Sequence, residues 1–273
     1  MKKVDTPTLG WLYPQVGCSV ARHLLGVLHS RLLGALHRWE AKRMSRTRTH
    51  EEHLIDQVLM LALLSEMNRR GNAWQEVIKL MKAAFDASWA MAQKRIKGFS
   101  LPFWTFRHGA FSKELYRVLD SLEAAGLVVK QNRSTRSLFR GGYDFYHYQI
   151  TEKGQHVVGC IAPLLAAGHN PDVLSDVSKA ATTFATMDPI EARERNHRMR
   201  IPHPWNPTRE IAIGDLPRNT TLLDILEPQD AHVVFALDDE WFDTLEMMLS
   251  PDYDPAAMRK ASGKTYHELF SGV

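Results

Sequence analysis

The stretch "SKELYRVLDSLEAAGLVVKQNRSTRSLFRGGYDFYHYQITEKG", residues 112–154, limits what this chain can fold into more than any other. Leu115, Val118, Leu119, Leu122 and Ala125 recur at steps of three and four, which predicts an amphipathic helix with these residues on its buried face. Ser112 stands at the N-cap position, although Leu115 occupies the place where a capping box wants Glu or Gln. Gly126 is the stop, because glycine enters the left-handed region without a Cβ penalty. "LVVK" and "YDFYHYQI" then read as two strands rich in β-branched and aromatic residues. The polar, Gly-containing loop between them predicts an antiparallel hairpin of 127–131 with 143–150. That loop, "KQNRSTRSLFRGG", carries Lys130, Arg133, Arg136 and Arg140 and no acid. Thr151 caps a further helix.

Upstream, "HLIDQVLMLALLSEMNRRG" is apolar nearly all round, at Leu54, Ile55, Val58, Leu59, Leu61, Leu63 and Leu64. It predicts a buried helix ending at Gly71. A longer helix is expected from Asn72 to Lys97-Gly98, with Trp74, Val77, Ile78, Met81, Phe85, Trp89 and Ala92 at helical spacing. These aromatic positions read as core, with a partner or ligand groove lined by Trp74 and Trp89 as the alternative. Pro102 discourages helix, Phe103, Trp104 and Phe106 suit a short strand, and Gly109 permits a tight turn before Ser112.

Helix, strand, basic loop, strand is the order of a winged-helix module, with the loop as the wing. In that arrangement Lys113, Tyr116 and Arg117, on the outer side of the helix after Ser112, are candidates to enter a DNA groove. Lys130, Arg133, Arg136 and Arg140 are candidates for phosphate contacts, which carry affinity without sequence information. A solvated hairpin loop is the plainer reading of the same residues. The same stretch, "FWTFRHGAFSKELYRVLDSLEAAGLVV" followed by "YHYQITEKG", resembles the Panacea-domain family, the SocA-like antitoxin proteins. The resemblance spans about residues 74–190 and rests on His108, Gly109, Phe111, Ser112, Leu115, Leu119, Leu122, Gly126, Leu127, Tyr148, Thr151 and Gly154. Ala110 stands where that family usually has Pro, and the long helix before the turn departs from the short second helix of a usual winged helix. The resemblance implies a bacterial or phage protein of a toxin–antitoxin or phage-defence setting. Its activity would be neutralisation of a partner toxin without enzymatic chemistry, and winged-helix relatives bind DNA.

Charge divides the chain unevenly. Residues 1–50 hold nine Lys or Arg against Asp5 and Glu40, a net +7 within an overall +3. A helix at 18–42 in this head is basic and amphipathic, and is open to reading as a docking helix, a membrane- or nucleic-acid-touching segment, a transit peptide, or an extension upstream of a start at Met44. Residues 221–255 hold ten acids and no Lys or Arg. After one or two helices over 170–200, "IPHPWNP" reads as a rigid linker because Pro202, Pro204 and Pro207 oppose regular structure, placing a boundary near 200–210. Beyond it, "HVVFAL" suits a short strand and "DDEWFDTLEMMLS" an acidic amphipathic helix with Trp241, Phe242, Leu245, Met248 and Leu249 inward. Asp238, Asp239, Glu240, Trp241 and Asp243 are candidates for docking a cationic partner; a solvated acidic cap is the alternative.

Catalytic patterns are thin. "HEEH" at 50–53 lacks the HExxH spacing of zinc proteases, and no phosphate loop, GxSxG elbow or Cys–His signature occurs. Cys18 and Cys160 are the only cysteines and form no ligand pair, which favours a reducing, cytoplasmic location. No apolar run approaches the roughly 20 residues of a membrane span. The sequence therefore predicts a mainly α protein with a small antiparallel β-hairpin (winged-helix-like α+β) and a C-terminal α/β appendage. Its parts are a basic extension at 1–50, a winged-helix-like domain at 51–200 and an acidic region at 201–273. The function expected is that of an antitoxin-like interaction protein that binds a toxin or host partner and autoregulates its operon. The alternative is a DNA-binding transcription regulator. No catalytic residue, metal, cofactor or membrane association is expected; homodimerisation is left open.

Overall fold

The computed structural model describes residues 47–135 and 143–256, and the side chains of these apart from 133–135 and 143–145. The N-terminal helix expected at 18–42 and the cations Arg136 and Arg140 lie outside the described residues, as does the Arg133 side chain.

Helix α1, His50–Arg70, starts four residues before Leu54, the first residue of the apolar pattern, because its N-terminus is set by a capping box. Thr49 Oγ1 accepts from the Glu52 N–H at 3.1 Å, and Glu52 Oε2 accepts from the Thr49 N–H at 3.0 Å. Leu54 to Leu64 are buried around the whole circumference, as the all-round apolar pattern predicts for a central helix. Helix α2, Val77–Gln93, is shorter than expected at both ends. Its first predicted turn is instead strand β1, Gln75–Glu76, captured by a later strand whose open edge needs partners. Its other end stops at Arg95, held in the left-handed region at φ 54°, and Ile96–Lys97 form β2 rather than helix.

Strands β3, Phe103–Phe106, and β4, Gly109–Phe111, form a tight hairpin. Gly109 has φ 83°, and a Cβ there would run into Asn196 Oδ1, so glycine is required twice over. Helix α3, Lys113–Ala124, buries Leu115, Val118, Leu119 and Leu122, and Gly126 closes it at φ 71°. Ser112 holds the N-cap position but gives no capping hydrogen bond; its hydroxyl is buried, and its N–H donates to Met81 Sδ at 3.2 Å. Strands β5, Val128–Thr135, and β6, Tyr143–Ile150, pair antiparallel from Val128↔Ile150 to Thr135↔Tyr143. The hairpin is longer than expected, so Lys130 and Arg133 are strand residues and not loop. β1 joins on the far side of β6, with Gln75 opposite Tyr148.

Helix α4, Glu152–Cys160, begins at Thr151, whose Oγ1 accepts from the Gly154 N–H at 3.0 Å. Helices α5, Ala162–Ala166, α6, Asn170–Phe184, and α7, Pro189–Arg198, follow. α6 packs on both α1 and α2, and α7 on α2.

The segment expected as a linker is a hairpin: β7, Arg200–His203, pairs with β8, Asn206–Ala212. A two-stranded sheet has only edge strands, where proline is tolerated; Pro202 and Pro207 lie in the two strands and Pro204 in the turn between them. Nor does the tail form an appendage. Strand β9, Thr221–Leu223, adds to β3, and β10, Val233–Val234, runs parallel to β2. Phe235, 1% exposed, sits in the same core cluster as α1 and α2. Helix α8, Asp239–Met248, buries Leu245 and Met248 with Trp241 and Phe242 half-buried beside them, as its spacing predicts. The architecture is α+β, helices around a central α1 with several small sheets, three of them antiparallel.

Candidate functional site

β4 is the edge of its sheet, and the outward-facing groups of Ala110 are satisfied by side chains from two helices. The Ala110 N–H donates to Asn196 Oδ1 of α7 at 2.8 Å, and its carbonyl accepts from Lys82 Nζ of α2 at 2.7 Å. Lys82 is 2% exposed, and burial, aided by the Arg193 charge, pushes its ammonium down to about 7. Its surroundings are basic. His108 is lowered by burial and then by Arg193, Lys82, His197 and Arg107; His197 is lowered by burial and then by Lys82 and Arg193. Among the described residues none of Lys82, Arg107, His108, Arg193 or His197 forms an ion pair with a carboxylate.

Beside Lys82 lies a cavity of about 230 Å³, floored by Val77, Ile78 and Met81 and walled by Phe106, His108, Phe111, Tyr116 and Tyr146. The rings form a connected rim. Phe111 meets Phe106 at 5.2 Å, Trp104 edge-on at 5.7 Å and Tyr116 at 5.9 Å between centroids. Phe106 is 45% exposed, so the rim opens to solvent. A larger cavity of about 520 Å³ lies between α2 and α7, and it mixes Asp86, Glu191 and Glu194 with Arg195 and Arg198.

The expected DNA-reading residues behave differently from this cluster. Lys130 extends to the flank of α3, 3.0 Å from Asp120 and 3.8 Å from Glu123, with its Nζ 4.6 Å from the Tyr146 ring centre. Burial opposes its charge, but the hydrogen bond to Asp120 and the neighbouring acids hold its ammonium above the ordinary lysine range. Arg117 pairs with Glu114 at 2.8 Å, and Glu114 also accepts from Arg48 at 2.6 Å. Lys113 and Arg117 remain exposed, whereas Tyr116 turns inward as a cavity wall.

Trp74 and Trp89 do not share a groove. Trp74 precedes β1, Trp89 packs on Phe85 near the far end of α2 at 6.0 Å, and neither lines either cavity. On α8, Asp238 is the N-cap and accepts from the Trp241 N–H at 2.9 Å, while Asp239, Glu240 and Asp243 are exposed. Glu246 on the same helix pairs with His50 at 2.5 Å. His50 therefore serves α8, while His53 lies 3.4 Å from Ser121 on α3, so the two histidines of "HEEH" face different elements.

Sequence reasoning missed Lys82, Arg193 and His197. The available signal was a lysine one position from Met81 on the apolar stripe of α2, where a charge needs a polar partner supplied by the fold. Arg193 and His197 could not be associated with it, because α7 reaches the turn only through the fold. No helix among the described residues is long and apolar enough to cross a membrane. No family model matches the chain, and no curated protein matches it either.

Proposed function

We propose that this chain is an antitoxin-like interaction protein with a winged-helix-like plan, which binds a cationic partner protein through the exposed acidic face of α8. The observation that carries this is the distribution of charge around Trp241 and Phe242. Asp239, Glu240 and Asp243 stay exposed beside these half-buried rings, and no Lys or Arg occurs from 221 to 255. An acidic rim around aromatic anchors steers a basic partner and gives it apolar surface to cover. The likeness of residues 74–190 to the Panacea-type antitoxins agrees with a binding role and supplies the class of partner, a toxin or a host or phage factor. A DNA-binding role is the second reading, favoured by Lys113 and Arg117, which stay exposed on α3.

Removing the tail would not test the first reading, because β9, β10 and Phe235 are part of the core. Asp239→Lys, Glu240→Lys and Asp243→Lys together leave the Asp238 cap in place and invert the face. The triple variant should keep its fold and lose co-purification with the protein encoded beside it, with an affinity loss of about a hundredfold or more. Undiminished co-purification would overturn the acidic face as the docking surface.

A further inference from the structure

We propose that the cavity between α2, the β3–β4 turn and β6 binds a small planar anion: an aromatic ring carrying one carboxylate or phosphate, with its charge at Lys82 and His108. This inference stands apart from the antitoxin reading and does not need a protein partner. Five basic side chains, Lys82, Arg107, His108, Arg193 and His197, converge on the turn, and their mutual influence is repulsive. Elsewhere in the molecule buried cations have acids to answer them: Lys97 sits on Glu52 at 2.8 Å and Arg48 on Asp56 at 2.6 Å, and Lys79, which like Lys82 donates to a backbone carbonyl, has Glu76 and Asp188 nearby to support its charge. The larger cavity likewise contains both signs. Basic groups in and beside a cavity with no carboxylate in its lining are stabilised by an anion from outside.

The cavity's shape and walls narrow the ligand. At about 230 Å³ it falls below the roughly 300–1,000 Å³ of sites for drug-sized molecules, so a single ring with a short polar arm is the fit. Phe106, Phe111, Tyr116 and Tyr146 offer faces and edges for that ring. Lys82 spends one donor on the Ala110 carbonyl, and an ammonium has three, so two remain for an oxyanion. His108 stands at the mouth, on the turn that Gly109 makes.

Protonation follows from the same geometry. The groups facing Lys82 are His108 on the turn, with the exposed Arg107 beside it, Tyr116 on α3, Tyr146 on β6, and Arg193 and His197 on α7; Asp86, one turn along α2, faces Arg195 in the other cavity. None of the groups around the smaller cavity supplies a carboxylate. An oxyanion does, and it draws a proton onto Lys82, so affinity declines as pH rises above about 7.

The test is calorimetric titration of the full chain with benzoate, phenyl phosphate and the uncharged benzamide. At least one anion should bind with Kd below about 1 mM, and benzamide about tenfold more weakly or worse. Whether carboxylate or phosphate binds tighter identifies the anionic group. Lys82→Met should lose about tenfold or more, whereas Lys179→Met on α6, distant from the cavity, should lose nothing. If Lys82→Met fails to fold by circular dichroism, His108→Gln reads the same contact from the exposed side. Benzoate affinity should fall by up to about tenfold per pH unit above pH 7. Failure of both anions to bind, equal binding of benzamide, or full retention by Lys82→Met and His108→Gln would overturn the proposal.

Discussion

Two cationic regions of this molecule use charge in opposite ways. On the β5–β6 hairpin, where the sequence places a wing, Lys130 is tied to Asp120 and Glu123 and rests over Tyr146. At the β3–β4 turn, Lys82 has only a carbonyl acceptor and other cations around it. A basic residue in a loop-like stretch proves to be an internal strut, while a lysine on an apolar helix stripe has no carboxylate to answer it. Clusters of like charge in sequence are therefore poor guides to binding; what matters is whether the fold delivers a counter-charge to each one.

The largest effect should come from a third lysine, which shows what pairing means when burial is complete. Lys97 is 5% exposed and donates to Glu52 at 2.8 Å, Ser100 at 3.3 Å and the Leu226 carbonyl at 2.6 Å. Lys97→Met strands a buried carboxylate and a tail carbonyl, and should cost about 3–5 kcal/mol in urea unfolding. A loss under about 1 kcal/mol would mean that buried pairs here are no stronger than surface ones.

Much of the frame around these charges was legible. The α3 stripe, the Gly126 stop, the Thr151 cap, and the two β-rich runs all appear where local rules put them, since each depends on residues a few positions apart. The misses share a cause. β1 and β9 are short strands that exist only because another edge needs partners, and nothing within Gln75–Glu76 or Thr221–Leu223 announces it. The prolines of "IPHPWNP" oppose regular structure by local rules, but in a two-stranded hairpin every strand is an edge. The cation cluster was invisible for a related reason: Lys82, His108 and His197 come from three elements spread over more than a hundred residues. Only the acidic α8 face, contained within one helix, could be written down in advance.

Gly109→Ala would break the turn side of the comparison. Left-handed backbone costs about 1–2 kcal/mol for a residue with a Cβ, and the displaced Asn196 would leave the Ala110 N–H without its acceptor, about 1–3 kcal/mol more. We expect a fall of about 2–4 kcal/mol in urea unfolding together with loss of benzoate binding. Full stability would show that the turn is not held by α7.

The Lys82 environment should also appear in the pH dependence of stability. Its folded-state pKa, about 7, lies below the ordinary lysine value, so above pH 7 the unfolded chain binds the additional proton. Stability from this group is present above the ordinary lysine range and is lost as pH falls through about 7. Between pH 7 and 10 the wild type should gain up to about 1.4 kcal/mol per pH unit relative to Lys82→Met, measured as the difference of their urea curves. Parallel curves would mean that the amine stays charged in the folded protein. Saturating benzoate should flatten the difference, because the ligand restores the proton.

The smallest effect belongs to Lys130, and it decides whether the hairpin is a wing in function as well as in order. Its side chain is 24% exposed and its carboxylate partners are 57% and 40% exposed, so Lys130→Met should cost under about 1 kcal/mol of stability. Its effect on DNA is the sharper measurement. A cation that neutralises a phosphate contributes about 0.9 to the slope of log affinity against log salt. Reaching a phosphate would require Lys130 to leave Asp120, Glu123 and the Tyr146 face, and the two acids would then stand unpaired near the backbone of the nucleic acid. We therefore expect any DNA binding at low salt to keep its salt slope in Lys130→Met, and to lose slope in Lys113→Met, whose side chain is exposed on α3. A drop of about 0.9 on changing Lys130 would show that its internal pairs open for DNA, and the contrast between the two cationic regions would reduce to one of degree.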